Sequence, residues 1–194
     1  SPRFFRDLVD HYLVEGGSEE RLDALLDRSI PYVIALQGAA GLDIVSDGEW
    51  RRKSYIGVVS DIVTGFDIKK LMLMNYMGPN GEAGYSFLLN DFKSMNLDMV
   101  MFELCDPADA DLNMLANLPE SIDVGVGCVR AKQNGIDTPD QIVRRVKNVL
   151  GSVEPHRIFM HPDCGFSPGA YWDVPLEEAY EKLSNQVTAA EILR

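Results

Sequence analysis

Two potential ligands of a soft or borderline metal ion come soon after apolar stretches of the sequence. Glu103 directly follows residues 97–102, and Cys164 ends the segment His-Pro-Asp-Cys that follows residues 157–160. A zinc ion takes sulfur, nitrogen and carboxylate ligands, and it deprotonates a bound thiol at neutral pH. Glu103 and Cys164 are therefore candidate ligands of a zinc site that activates a thiol, and such a site would need a third protein ligand. An inert, buried thiol is the other interpretation of Cys164.

Three other side chains compete for places in such a site. His161 could supply a nitrogen ligand, although Pro162 stiffens the backbone beside it. Cys105 could supply sulfur, and a buried structural thiol is the other interpretation of this residue. Cys128 sits in the apolar sequence Gly-Val-Gly-Cys-Val, so we expect it in the core.

Three carboxylates could serve the substrate or the ligands rather than bind the metal. Asp47 and Glu49 follow the apolar stretch 42–45, and we group them as substrate-binding residues. Glu49 could hold a substrate ammonium group, or it could satisfy free backbone amides at a helix start. Asp163 could orient a neighbouring metal ligand or cap a turn.

Apolar stretches that end in polar side chains, with amphipathic stretches between them, are typical of a parallel α/β sheet. In such a sheet, and in a (β/α)8 barrel, functional groups gather at the carboxyl ends of the strands. We therefore predict an α/β fold and expect a (β/α)8 TIM barrel. The predicted strands are 42–45, 97–102, 122–127 and 157–160, with 70–75 as a fifth candidate. The predicted helices are 2–14, 18–38 with a kink at Pro31, 85–95, 108–118 and 138–150.

The sequence is short for that fold. A (β/α)8 barrel usually takes about 250 residues, whereas this sequence has 194 and shows no strand-helix rhythm between about 67 and 84. A natural loss of several strands would expose apolar edges and prevent closure. We expect one barrel domain over residues 1–194, with segments omitted between about 67 and 84 and at the amino terminus.

Composition excludes several classes of function. A net charge of -12 and a pI near 4.6 disfavour nucleic-acid and anionic membrane partners. Three irregularly spaced cysteines indicate a reducing compartment, so we predict a cytoplasmic protein. Gly125 and Gly127 lack the third glycine of a nucleotide-binding loop, and no serine lies in a hydrolase motif.

Several motifs occur in an order that resembles one known family. They are Asp47-Gly-Glu within 41–52, the Gly-Val-Gly stretch at 125–127, Thr138-Pro-Asp, Pro162-Asp-Cys-Gly-Phe and the closing stretch 182–190. Together they resemble the catalytic domain of the zinc-dependent, cobalamin-independent methionine synthases. The resemblance covers nearly the whole chain except about 67–84, and the Asp-Gly-Glu and Pro-Asp-Cys-Gly pair is more specific than either motif alone.

This resemblance implies a (β/α)8 barrel that binds zinc at its strand ends and transfers a methyl group to the sulfur of homocysteine or another thiol. By position, Cys164 and Glu103 match zinc ligands of the family. Glu49 matches a carboxylate that binds the amino group of the substrate, and Asp163 would have a supporting role. The implied partners are a small-molecule thiol and a methyl donor, either a folate or a corrinoid protein.

The sequence departs from the family in three places. The His-x-Cys ligand pair expected before the 85–95 helix is not visible, and 72–75 occupies that region without a metal ligand. The Gly-Ser-Phe-Pro opening is reduced to Ser1-Pro2-Arg3. Arg130 stands where relatives usually carry an acidic residue, which predicts a change in substrate preference.

Three alternative functions stay open from sequence alone. A thiol could attack an epoxide or another activated carbon within the same family. The chain could instead be a metal-free relative that binds a ligand without catalysis. A third alternative is a lyase or decarboxylase of the related uroporphyrinogen decarboxylase-like barrels.

Overall fold

The computed structural model describes residues 16–48, 50–51, 85–107, 109–131, 135–163, 166 and 174–194. The helix predicted at 2–14 and the candidate strand at 70–75 lie outside these residues. Short 3-10 turns at Ser86–Leu88 and Pro155–Arg157 precede α2 and β3. The elements are α1 (Glu19–Ala39), α2 (Leu89–Ser94), β1 (Met99–Glu103), α3 (Asp109–Leu115), β2 (Asp123–Val129), α4 (Pro139–Leu150), β3 (Ile158–Pro162) and α5 (Leu176–Leu193).

The three strands form one parallel sheet in the order β1-β2-β3. Each adjacent pair of strands is joined through a helix, α3 or α4, which is the connection that parallel strands require. The α/β fold with a parallel sheet is therefore confirmed, together with three of the predicted strands. Among the described elements no helix is long and apolar enough to cross a lipid bilayer.

The two faces of the sheet have different side chains. One face packs on the helices through a buried cluster that includes Phe102, Val124, Val126 and Cys128. Alternation along each strand places Met101 and Glu103 of β1, Gly125 and Gly127 of β2, and His161 of β3 on the other face. We call this second face the inner face, because a closed barrel would turn it inward.

Helix α1 spans the predicted stretch 18–38 almost residue for residue and continues through Pro31. Ser18 occupies its N-cap position and Gly41, with φ near +90°, follows its end. The predicted strand at 42–45 is wrong. These residues form no strand, and Ile44 is 70% exposed.

The side chain of Gln37 binds the backbone of the residue that follows this stretch. Its amide donates a hydrogen bond to the Ser46 carbonyl oxygen at 2.7 Å and accepts one from the Ser46 N–H at 3.1 Å. The chain therefore folds back onto α1 after Gly41. Both backbone groups of Ser46 are thus paired by a helix side chain rather than by a strand.

The start of α4 gives a first prediction. Thr138 and Gln141 form a reciprocal capping box, with bonds of 3.4 and 2.8 Å. We expect Thr138→Ala to lower the free energy of unfolding by about 1 kcal/mol, since it leaves an amide of the first turn without its acceptor. Ser18→Ala is the matched control, because the Ser18 side chain makes no capping bond. Equal losses in urea denaturation would contradict this interpretation.

Candidate functional site

The carboxyl ends of the three strands bring two predicted residues to one edge of the sheet. Glu103 pairs in register with Gly127, and Gly127 pairs with His161, so these residues form one row across the inner face. Asp163 follows β3 directly, and its N–H donates to the Val129 carbonyl oxygen at 2.9 Å. Glu103 and Asp163 are therefore brought together, as the βα pattern predicts.

The Asp163 side chain crosses the middle strand to reach β1. Its Oδ1 accepts hydrogen bonds from the N–H groups of Leu104 at 3.1 Å and Cys105 at 3.3 Å. The crossing passes over Gly127, where an added Cβ would lie 2.5 Å from Asp163 Oδ1 and 2.6 Å from the Phe102 carbonyl oxygen. Glycine at 127 is therefore required by this close approach. We call the arrangement of Asp163, Gly127 and the two amides the carboxylate bridge.

Burial, together with the carboxylate bridge, opposes ionisation of the nearby Cys105 thiol. Burial raises the pKa of Cys105, and a hydrogen bond to the Asp163 carboxylate raises it further. Burial likewise raises the pKa of Asp163, and the negative charge of Glu103 adds to that increase. Of the two interpretations of Cys105, a buried, protonated thiol fits the structure better than a sulfur ligand.

Cys128 is fully buried in β2, which confirms its predicted place in the core. Its Sγ lies 3.7 Å from the His161 carbonyl oxygen, to which it donates a hydrogen bond. Burial raises the pKa of this thiol to about 12. Cys128 therefore packs behind the strands as a small apolar side chain.

An ion-pair network that sequence analysis did not identify holds the end of β2. Asp137 accepts hydrogen bonds from the Arg130 N–H and from the Arg145 guanidinium, each at 2.7 Å. Arg145 also donates to the Cys128 carbonyl oxygen at 2.8 Å, and Arg130 pairs with Asp106. The only sequence signal for Asp137 is its position just before the N-cap of α4. Arg130, noted as a departure from the family, thus has two acidic partners.

The other predicted site residues are placed as follows. Glu49 and Cys164 lie outside the described residues. Asp47 is exposed on the segment that folds back onto α1. That segment is held to α1 by an ion pair from Arg51 to Asp23, among other contacts.

The described part of the chain contains no group of three or more His, Cys, Asp or Glu side chains arranged to hold a metal ion. Two of its residues nevertheless suit such an ion. Glu103 supplies a carboxylate in the central row, and the Nε2 atom of His161, buried in the same row, has no hydrogen-bond partner. A carboxylate and an imidazole are each ligands that zinc accepts, but the Asp163 side chain lies between these two residues, over Gly127.

Known proteins resemble this chain over much of its length. Residues 83–192 match the family model for the catalytic domain of cobalamin-independent synthase. A methionine synthase of Sulfurisphaera tokodaii is 28% identical over 72% of this chain and 37% of its own length. One of Pyrococcus abyssi is 29% identical over 58% of this chain and 31% of its own length. A 5-methyltetrahydropteroyltriglutamate–homocysteine methyltransferase of Campylobacter jejuni is 24% identical over 57% of this chain and 14% of its own length.

The chain therefore spans less than two fifths of the length of these relatives. The structure of a B12-independent methionine synthase from a Shewanella species in complex with selenomethionine superposes with a TM-score of 0.48 and 20% identity. That superposition covers 57% of this chain and 30% of the other.

One expectation is corrected, because a corrinoid protein as methyl donor is at odds with a family described as cobalamin-independent.

Proposed function

The chain belongs to the cobalamin-independent synthase catalytic-domain family, and we propose that it takes part in methyl transfer to the sulfur of homocysteine or a similar small thiol. The carboxylate bridge is the observation that supports this proposal most directly. It fastens the backbone just after Glu103 to the backbone just before Cys164. The two residues that resemble zinc ligands of the family thus adjoin a single hydrogen-bonded unit.

In this proposal, Glu103 and Cys164 hold a zinc ion at the strand ends. When bound, the ion supplies Lewis acidity that converts the substrate thiol into a thiolate at neutral pH. Glu103 contributes a hard, negatively charged oxygen. Asp163 holds the ends of β1 and β3 at a fixed separation. This favours metal binding, because the backbone beside the ligands is already ordered before the ion binds.

Glu49 and Asp47 are proposed to bind the ammonium group of an amino-acid substrate. Their acidic side chains would favour a cation, and a negatively charged chain would not repel it. The proposed methyl donor is a folate, since one relative is named for a methyltetrahydropteroyltriglutamate substrate. Asp47 lies in none of the three described strands, so it would act from a segment outside β1, β2 and β3.

The barrel is also a proposal. Three adjacent parallel strands with their helices on one face are what part of a (β/α)8 barrel would contain. The inner face would then line the interior of the barrel. Residues 1–194 would form part of one such domain. A cytoplasmic location, based on cysteine usage, stays a prediction.

Zinc content and thiol-dependent methyl transfer test the proposal together. We expect purified chain to bind one zinc ion and to methylate homocysteine from a methylfolate, measured as methionine formed. Glu103→Gln and Cys164→Ser should each lower the zinc affinity and the rate of methionine formation on the order of 100-fold or more. Loss of a residue that only contacts a metal ligand already lowers metal affinity or activity about 10- to 100-fold.

Cys105→Ser is the matched control for Cys164→Ser. It removes a thiol of the same region while keeping a hydrogen-bond donor toward Asp163, so zinc binding should be retained. A wild-type chain that binds a ligand but neither zinc nor a methyl donor would favour the metal-free alternative. Methyl transfer undiminished in Cys164→Ser would refute the assignment of the ligands.

A further inference from the structure

A polar cleft lies between α4 and the loop that follows β1. Its volume is about 520 Å³, which is within the range of small-molecule sites. Cys105 and Asp106 form one wall. The other wall is the polar face of α4, which contributes Gln141, Arg144, Arg145, Lys147 and Asn148. This face is opposite the buried residues of α4, so the amphipathic sequence of the helix places these side chains together.

Two cations in the cleft have no counter-ion. Arg145 and Asp106 are already compensated, because each belongs to the ion-pair network at the end of β2. The side chains of Arg144 and Lys147 are exposed, and in the described part of the chain they form neither an ion pair nor a hydrogen bond. The cleft therefore has an excess of positive charge in a chain whose net charge is -12. Such a local excess attracts an anion.

The stability of the helix accounts for only one of these two cations. Lys147 lies in the last turn of α4, where the carbonyl end of a helix favours a positive charge. Arg144 lies one turn earlier, and like charges at this spacing repel each other. Asp140, four positions before Arg144, forms no ion pair with it among the described residues. Arg144 is therefore the more specific sign of a ligand.

The polar groups along α4 indicate the shape of that ligand. Gln141 and Asn148 lie seven positions apart, which is roughly 10 Å along a helix axis. The Gln141 Oε1 accepts the Thr138 N–H, so its Nε2 group remains to donate. Arg144 and Lys147 lie between these two amides, and a guanidinium can bind carboxylate or phosphate oxygens through two hydrogen bonds. This row fits an extended anion better than a single compact ion.

We propose that this cleft binds an extended small-molecule anion that carries two or more carboxylate or phosphate groups. The inference goes beyond the proposed function and does not depend on it, because no lining residue is a proposed ligand of zinc or of the amino-acid substrate. The cleft adjoins the strand ends, since Cys105 lines it and also donates its N–H to Asp163.

Calorimetric titration of the full chain at low ionic strength tests the proposal. The two probes are fructose 1,6-bisphosphate, which carries a phosphate at each end, and the tripeptide triglutamate, which carries carboxylates. We expect at least one probe to bind with a Kd on the order of 1 mM or below, and the stronger of the two identifies the charged group. Added salt should weaken this binding, because the two cations are exposed.

Variants of single cations locate the charge that matters. Arg144→Gln and Lys147→Gln should each weaken binding about 5-fold, because each removes one exposed charge pair with the ligand. Arg28→Gln is the matched control, since it removes the same charge from an exposed position on α1 and should leave the affinity unchanged. The substituted side chains are exposed and without partners in the described residues, so the variants should remain folded.

NMR of the 15N-labelled wild-type chain locates the bound probe without any variant. The side-chain amide resonances of Gln141 and Asn148 should shift during the titration. Those of Asn117, which donates to the Asn113 carbonyl oxygen outside the cleft, should stay fixed.

Three results would overturn the proposal. They are no binding of either probe, equal losses in Arg28→Gln and Arg144→Gln, and shifts confined to resonances outside the cleft. The second result would mean that binding follows only the net charge. Failure of zinc binding or of methyl transfer would refute the proposed function and leave this inference intact.

Discussion

Gly127→Ala is expected to destabilise the protein by about 3 kcal/mol or more, measured as the free energy of unfolding in urea. The new methyl group would lie 2.5 Å from Asp163 Oδ1 and 2.6 Å from the Phe102 carbonyl oxygen. The second of these atoms belongs to the backbone of β1 and cannot rotate away. Overpacking of this kind usually costs about 1–3 kcal/mol, and here it also breaks the carboxylate bridge.

Two further variants make this result specific. Gly38→Ala is the control, because nothing lies within 4 Å of its Cβ position in α1 and alanine is a better helix former. In an Asp163→Ala background, the cost of Gly127→Ala should become smaller but remain, since the Phe102 oxygen is still present. A Gly127→Ala protein as stable as wild type would show that neither Asp163 Oδ1 nor the Phe102 carbonyl oxygen lies against this position.

The sheet could be predicted from sequence because its strands are buried on the helix side and read as continuous apolar stretches. Val124, Val126 and Cys128 show this most clearly, since all three are fully buried in β2. The stretch 42–45 has the same local composition but forms no strand. Strand formation depends on a neighbour that pairs the backbone, and Gln37 satisfies the Ser46 backbone instead.

The site could be predicted only in part. Glu103 and Asp163 each follow a predicted strand, and this was sufficient to predict that both lie at the same edge of the sheet. That pattern could not show that Asp163 accepts hydrogen bonds from the amides that follow β1. The Leu104 contact joins residues 59 positions apart in the chain, and its path over Gly127 is open only because glycine has no side chain. Asp137 was missed for a related reason, since its partners Arg130 and Arg145 converge only after α4 packs on β2.

Asp137→Asn is the second variant with a large expected effect. It should lower the free energy of unfolding by about 3 kcal/mol at neutral pH, because the Arg145 guanidinium, only 10% exposed, would lose its carboxylate partner. Asp106→Asn is the matched control. Asp106 pairs with Arg130 but is 72% exposed, so its loss should cost less than about 1 kcal/mol.

The pH dependence of this difference identifies its cause. Burial opposes ionisation of Asp137, but the hydrogen bonds from Arg145 and Arg130 outweigh it and hold the pKa of this carboxyl below its usual 3.8. A folded-state pKa that is depressed contributes stability above the unfolded value and loses it as the pH falls through the folded one. The gap between wild type and Asp137→Asn should therefore be constant near pH 7 and narrow below about pH 4. A gap that stays unchanged in acid would mean that the cost comes from repacking rather than from the lost charge.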